Sequence, residues 1–195
     1  NIEVIEMLVD GATGSHRFLS FLGSFYIFLL NFFEILAGLV TLGCAIFLLR
    51  RNIAGIKRFV MKELDGWPRT DANLILSTEI ILMSAYYLMN AADRNLQVMG
   101  SVHYNVDTGV LPISGFLVGA LSGMSETSLM LIERISWWVH VIGILGFINY
   151  LVISKHLHII LAFPNVFYAN LQKKGRFTNL SSVTNEVKVM LDPTF

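Results

Sequence analysis

Three of the five histidines in this chain lie in one long apolar run, Ser136 to Pro164 (SWWVHVIGILGFINYLVISKHLHIILAFP). His140 is near one end of it, and His156 and His158 are near the other. Ionisable side chains inside a membrane segment are expensive and need a reason. Neutral imidazole supplies one, because it is a strong metal ligand and binds haem iron axially. His140 and His158 are 18 residues apart, which at ~100° per residue is about five full turns, so on an unbroken helix both rings leave one face. Their separation along the axis is roughly 27 Å at ~1.5 Å per residue, close to the thickness of a hydrocarbon core. His156 projects roughly 200° away from His158 and stands apart from the pair. The spacing points to a single helix carrying axial ligands for two haems stacked across a bilayer. A bis-histidine haem needs a second imidazole opposite each of these. His16, His103 and His156 do not lie within a span opposite both, so the opposing ligands are expected upstream of Asn1.

Other residues could do chemistry, each with a plainer alternative. Glu34 falls near the middle of an apolar span, between Phe33 and Ile35, where a carboxylate costs roughly 2.5–3.5 kcal/mol on insertion scales. It is either a proton relay or a group paired with Asn31, Asn149 or a loop residue. Glu79, with Ser77 and Thr78 beside it, could approach a quinone head or the surroundings of a haem propionate, or simply face the bundle interior. His16 and Arg17 form a polar corner that could meet a quinone carbonyl or a propionate, or be a solvated pair. Arg134 could hold a propionate, although the adjacent Glu133 makes an ordinary surface ion pair plausible. His103, in a polar loop, reads as solvated. Cys44 stands alone in an apolar run, so it forms no internal disulfide and builds no iron–sulfur site. The chain has no CxxC, no phosphate-binding glycine loop and no zinc-type His/Glu pair.

The elements that must position these residues are membrane helices. The chain is 54% hydrophobic and 14% charged with no net charge, and its mean hydropathy is +0.63. Soluble domains carry about 25% charged residues. The reading is an all-α polytopic membrane bundle with three full transmembrane helices plus the tail of a truncated one. That tail is residues 1–9, broken after Gly11 and Gly14. The first full span is 19–49, ending on Arg50 and Arg51. A basic connection, 50–69, mixes six Lys and Arg with Ile53, Ile56, Phe59, Val60 and Leu64 and reads in part as an interfacial helix. The second span is 72–92, capped by Asp71 or Asn73. Residues 110–121 are apolar but too short to cross, and read as a short helix or re-entrant loop. The third span begins near Leu129 and runs to Ile153 or beyond, with Pro164 as the next break. Residues 1–170 then form the membrane bundle, and 171–195 a tail or linker to an iron–sulfur domain. The 50–69 connection and the segment after Ile153 hold 11 of the 14 Lys and Arg, which places both on the cytoplasmic side. No basic, aromatic face of the kind nucleic acid needs is present.

The Ser154–Lys155–His156–Leu157–His158 turn at the inner end of this run resembles the last haem-bearing helix of the respiratory nitrate reductase gamma-subunit family. The wider wording, SKHLHIILAFPNVFYANL with GSHRFLSFLGSFY and NLILSTEIILMS, is similar to menaquinone-linked, iron–sulfur-binding membrane proteins of the heterodisulfide-reductase-like group, some of which serve electron-transferring flavoprotein. The resemblance covers most of the chain and is specific chiefly around 136–170. It implies His140 and His158 as ligands of two b-type haems and His156 as a non-ligand. It also implies partner histidines on a helix before Leu19, hence an N-terminal truncation, and 4Fe–4S clusters in a partner domain or subunit.

The expected function is a membrane electron-transfer module of a quinone-linked oxidoreductase in a bacterial inner membrane. It would work between a quinone pool, menaquinone by resemblance, and a cytoplasmic iron–sulfur or flavoprotein partner. The alternatives are a haem-free membrane anchor or ion-conducting subunit using Glu34 and Glu79, and a structural docking subunit whose basic inner loop binds a soluble partner.

Overall fold

The computed structural model describes residues 2–56, 61–62, 65–154, 157–171 and 180–191. All regular structure among them is helical. The elements are α1 (Ile2–Thr13), a short 3-10 helix (Phe18–Leu22), α2 (Ser24–Asn52), α3 (Trp67–Met99), α4 (Ser114–Leu121), α5 (Glu126–Leu151), α6 (Leu157–Phe167) and α7 (Ser181–Leu191). Three of them, α2, α3 and α5, are long and apolar enough to cross a membrane, so the helical membrane bundle expected from composition is the architecture. α2 carries an outward row of large apolar side chains, including Phe25, Phe28, Phe32 and Leu39, and Phe28 stacks on both Phe25 and Phe32. Water would penalise such a strip; lipid does not.

The chain forms two compact units, 1–157 and 158–195. In the first, α3 is the central helix, packed most extensively on α5 and also on α2 and α4. Two apolar clusters hold it there. Met7, Ala37, Tyr86, Tyr87, Met89 and Val141 form one, and Ala92, Leu96, Tyr104 and Leu129 the other. Gly143 lets α5 approach closely, because a Cβ there would sit 2.4 Å from Leu82 Cδ2. At 33 residues α3 is about 50 Å long at ~1.5 Å per residue, so its ends extend past a bilayer core. It starts at Trp67, after Gly66 and with Pro68 in its first turn, rather than behind a side-chain cap at Asp71 or Asn73. Asp71 is instead fully buried and accepts the Tyr150 hydroxyl from α5. The far end of α3 closes on Gly100, whose φ of 74° is the left-handed cap glycine favours. α5 begins at Glu126, where the Ser125 side chain accepts the Ser128 amide at 3.3 Å.

Two further expectations change. Ser136 to Pro164 is not one unbroken helix. α5 ends at Leu151, and the chain tightens through Ile153 N–H to Tyr150 O (3.1 Å) and Ser154 N–H to Leu151 O (3.3 Å) before α6 starts at Leu157. Three-residue closures use up the carbonyls that the α ladder would extend from, so α5 stops there. His140 and His158 therefore belong to separate helices, α5 and α6, rather than to one unbroken helix, and each keeps its own chemistry. Pro164 does not end its helix either: α6 continues through it to Phe167. The expected interfacial helix at 53–64 falls largely on 57–60 and 63–64, which lie outside the described residues, as does His156. In the second unit, α6 presents Ile160, Phe163, Val166 and Phe167 as exposed apolar side chains.

Candidate functional site

The chemistry-bearing residues divide into a buried histidine on α5, a carboxylate on α2 that holds a loop, and a polar cavity where α1, α3 and α5 meet. His140 is 4% exposed. Its Nδ1 is 2.9 Å from the Leu82 carbonyl on α3, and its ring lies 5.7 Å from that of Tyr86. A carbonyl can only accept, so Nδ1 carries the proton and Nε2 keeps its lone pair. That is the tautomer and the outer support that metal-bound imidazoles use. His140 thus fits an axial ligand. His158 lies exposed on α6. Among the described residues no group of three or more His, Cys, Asp and Glu could hold a metal by itself, but an axial haem site draws on two ligands. His103 is exposed, as read from sequence.

Glu34 has no exposed surface. It accepts the Ile113 amide at 2.9 Å and the Ser114 amide at 3.3 Å. It thereby caps α4 from a neighbouring span, where unpaired N–H groups and the helix dipole favour an anion. One turn earlier, Asn31 accepts the Leu111 amide and donates to the Thr108 carbonyl. Of the partners considered for Glu34, the loop is the one found. Glu79 sits half-buried on α3, roughly 21 Å along that helix from Asp93 at ~1.5 Å per residue, and does not join the cavity.

His16, Arg17 and Arg134 do come together. They line a cavity of about 210 Å³ with Glu3, Asp10, Asp93, Glu133, Trp137 and Trp138 among its other walls. The sequence corner at 14–17 is built on Asp10, whose carboxylate accepts the Arg17 and Phe18 amides at 2.9 Å each and the Ser15 hydroxyl at 2.7 Å. This template holds Arg17 at φ 55°, a left-handed conformation that non-glycine residues avoid without such support. The Arg17 side chain is thereby turned inward. Its Nε and Nη2 reach Asp93 at 2.8 and 2.5 Å, and Nη2 also reaches Asn90 at 3.1 Å. Burial alone would push the guanidinium down; Asp93 and Tyr26 outweigh it and hold Arg17 above its ordinary value. Burial pushes the His16 imidazole below its ordinary value, with Asp93 opposing. Around them, Glu6 accepts the Leu19 amide (2.9 Å) and the Tyr26 hydroxyl (3.1 Å), and Glu133 accepts the Tyr104 hydroxyl at 2.9 Å. Gly11 makes room for the cavity wall, since a Cβ there would lie 2.8 Å from the Trp137 ring.

Sequence reasoning overlooked Asp93, Asn90, Glu3, Glu6, Asp10 and Tyr104. One signal was available. Glu3, Glu6 and Asp10 recur at helical spacing, which puts three carboxylates on one face of a mainly apolar helix. Asp93 had no such signal, because its partner lies 76 residues away.

No family model and no solved structure matches the chain. It is similar to an oxidoreductase. The probable iron-sulfur-binding oxidoreductase FadF of Bacillus subtilis (strain 168) is 34% identical over 77 residues, which is 40% of this chain. The match spans 11% of that much longer protein.

Proposed function

We propose that this chain is part of a membrane electron-transfer subunit of a quinone-linked oxidoreductase, working between a quinone pool, menaquinone in the first instance, and a cytoplasmic iron–sulfur or flavoprotein partner. The observation that carries the reading is His140: a buried imidazole whose Nδ1 is committed to the Leu82 carbonyl, so that Nε2 is available as a ligand. The similarity to a protein named as an iron-sulfur-binding oxidoreductase supports the redox class. His140 and His158 are the residues that would hold two b-type haems, with the opposing axial ligands supplied from outside this sequence. Bound haem supplies one-electron transfer, at a potential that axial ligands and burial tune. The protein's own contribution at His140 is orientation, set by α3.

The cavity with His16, Arg17 and Arg134 is where a quinone head fits best, between the Trp137–Trp138 wall and hydrogen-bonding groups on α1 and α3. Glu79 is the second candidate, at the other end of α3. A proton-relay role for Glu34 would couple its protonation to release of the Ile113 and Ser114 amides. In the bacterial inner membrane the 50–69 connection and 171–195 would face the cytoplasm, and the cavity the opposite side, by the bias of basic residues.

The test is a reduced-minus-oxidised spectrum of the intact protein in its membrane. Two bis-histidine b-type components are expected, one lost in His140→Ala and the other in His158→Ala, at unchanged protein level. A spectrum with no haem sinks the reading. It would favour a haem-free anchor or ion-conducting subunit, which the exposure of His158 and the turn at 152–154 support; ion flux in liposomes then separates conduction from docking.

A further inference from the structure

The cavity contains polar atoms that its own protein partners do not satisfy. Asp93 is 1% exposed. Its Oδ2 takes both Arg17 contacts, while Oδ1 has no hydrogen-bond partner and faces His16 Nε2 at 3.7 Å. His16 Nδ1 and Glu3 Oε1 are also buried and unpartnered, and all three residues line the cavity. Buried polar atoms are satisfied by protein, water or ligand, so these three mark where a polar ligand or the water that precedes it belongs. Position along the cavity differs as well. The His16 side chain is 22% exposed and that of Asp93 2%, so the imidazole is the more outward of the two.

We propose that His16 and Asp93 form an acid–base dyad that exchanges protons between a quinone head bound in the cavity and the water at this end of the bundle. The dyad rests on the quinone-linked reading above. A hydroquinone becomes a quinone by losing two protons and two electrons. The O–H bond facing His16 breaks towards it, and His16 passes that proton to solvent; the O–H at the opposite end of the ring gives its proton to water. The two electrons go to the one-electron centres of the oxidoreductase, haem iron or iron–sulfur cluster. The reverse reaction uses the same path. His16 is the group that touches substrate. Asp93 is a positioning residue: its Oδ1 faces Nε2 and favours the imidazolium, while Arg17 holds its Oδ2 in place.

The other groups facing His16 fit a base that rests neutral and protonates in turnover. Arg17 beside it and Arg134 on α5 disfavour the imidazolium, while Asp10 on α1 and Asp93 on α3 favour it, and burial against the Tyr104 ring (4.8 Å between centroids) leaves the balance below the ordinary value. Glu133, on the cavity wall, is engaged by Tyr104 (2.9 Å) and by Arg134 Nε at 3.4 Å, which leaves His16 as the less encumbered acceptor.

The experiment uses the intact protein in a Trp67→Phe background, with menadione and menadiol as probes. Quenching of Trp137 and Trp138 by menadione reads binding without turnover. Menadiol-driven reduction of the b-type absorbance reads the reaction. His16→Ala should bind menadione more weakly and, with menadiol at saturation, reduce the b-type centre about 100-fold more slowly, the scale of a lost general base, with the rate recovering on adding free imidazole. Asp93→Asn should move the pH midpoint of the rate downwards, because the imidazolium loses its counter-charge. A His16→Ala protein with the wild-type rate and pH profile overturns the dyad while leaving the quinone reading intact. A wild type that neither binds menadione nor is reduced by menadiol overturns both. If Asp93→Asn does not fold, His16→Ala with imidazole rescue carries the test.

Discussion

Arg17 owes its position to the carboxylates around it, Asp10 at its backbone and Asp93 at its guanidinium. In sequence it sits next to His16 in a polar corner that could meet a quinone carbonyl or a propionate, or be a solvated pair. In the structure Asp10 binds the corner's amides and the Arg17 side chain turns inward to Asp93, Asn90 and Tyr26. Removing one partner of a buried ion pair leaves the other charge uncompensated, which costs about 3–5 kcal/mol. Arg17→Ala is therefore expected to lower the thermal midpoint of the detergent-solubilised protein substantially. Arg17→Lys should recover only part of that, because an ammonium cannot bind through the Nε–Nη2 fork that reaches Asp93. Equal midpoints for wild type and Arg17→Ala would show that the pair contributes nothing to stability. His140 belongs to the same scale. It was legible from its residue type and its apolar surroundings, but the carbonyl that sets its tautomer belongs to Leu82, 58 residues away.

At the scale of elements, the apposition of α3 and α5 is what places His140, and Gly143 is its contact point. The clashing atom, Leu82 Cδ2, is the end of a flexible side chain. Gly143→Ala should accordingly be accommodated by a rotation of Leu82. Gly143→Val should force the helices apart, cost about 1–3 kcal/mol as overpacking does, and lengthen the His140–Leu82 contact. Thermal midpoints of the two variants, with the b-type spectrum as a readout at His140, check this; a valine variant as stable as the alanine variant would contradict it. The break between α5 and α6 belongs here too. Apolarity is continuous from Ser136 to Phe163 apart from a few polar residues, so composition gives no reason for a turn at 152–154. The turn arises from local closures onto the Tyr150 and Leu151 carbonyls, and hydropathy is blind to those.

For the whole molecule, three helices able to span a bilayer and the distribution of basic residues predict a topology. A single cysteine placed at Ala54, in a Cys44→Ala background, should react with a membrane-impermeant maleimide only after right-side-out cells are opened. One placed at Val102, which is 86% exposed, should react without opening. The opposite pattern would invert the orientation and put the cavity on the cytoplasmic side.

What the sequence determined by itself follows from one-dimensional patterns: apolar runs of bilayer length, a near absence of charge within them, basic residues concentrated in two connections, and histidines where lipid would not tolerate idle ones. These properties depend on neighbours in the chain, so they fixed the class of fold and nominated His140, His16, Arg17 and Arg134. Tertiary structure alone decided who meets whom. It gave Glu34 the α4 amides, brought Asp93 to Arg17 across 76 residues, gathered three carboxylates of α1 around the cavity, and ended the shared helix of His140 and His158. Those outcomes depend on helix rotation and close approach, which are set by side-chain packing between distant segments and leave no periodic trace in the chain.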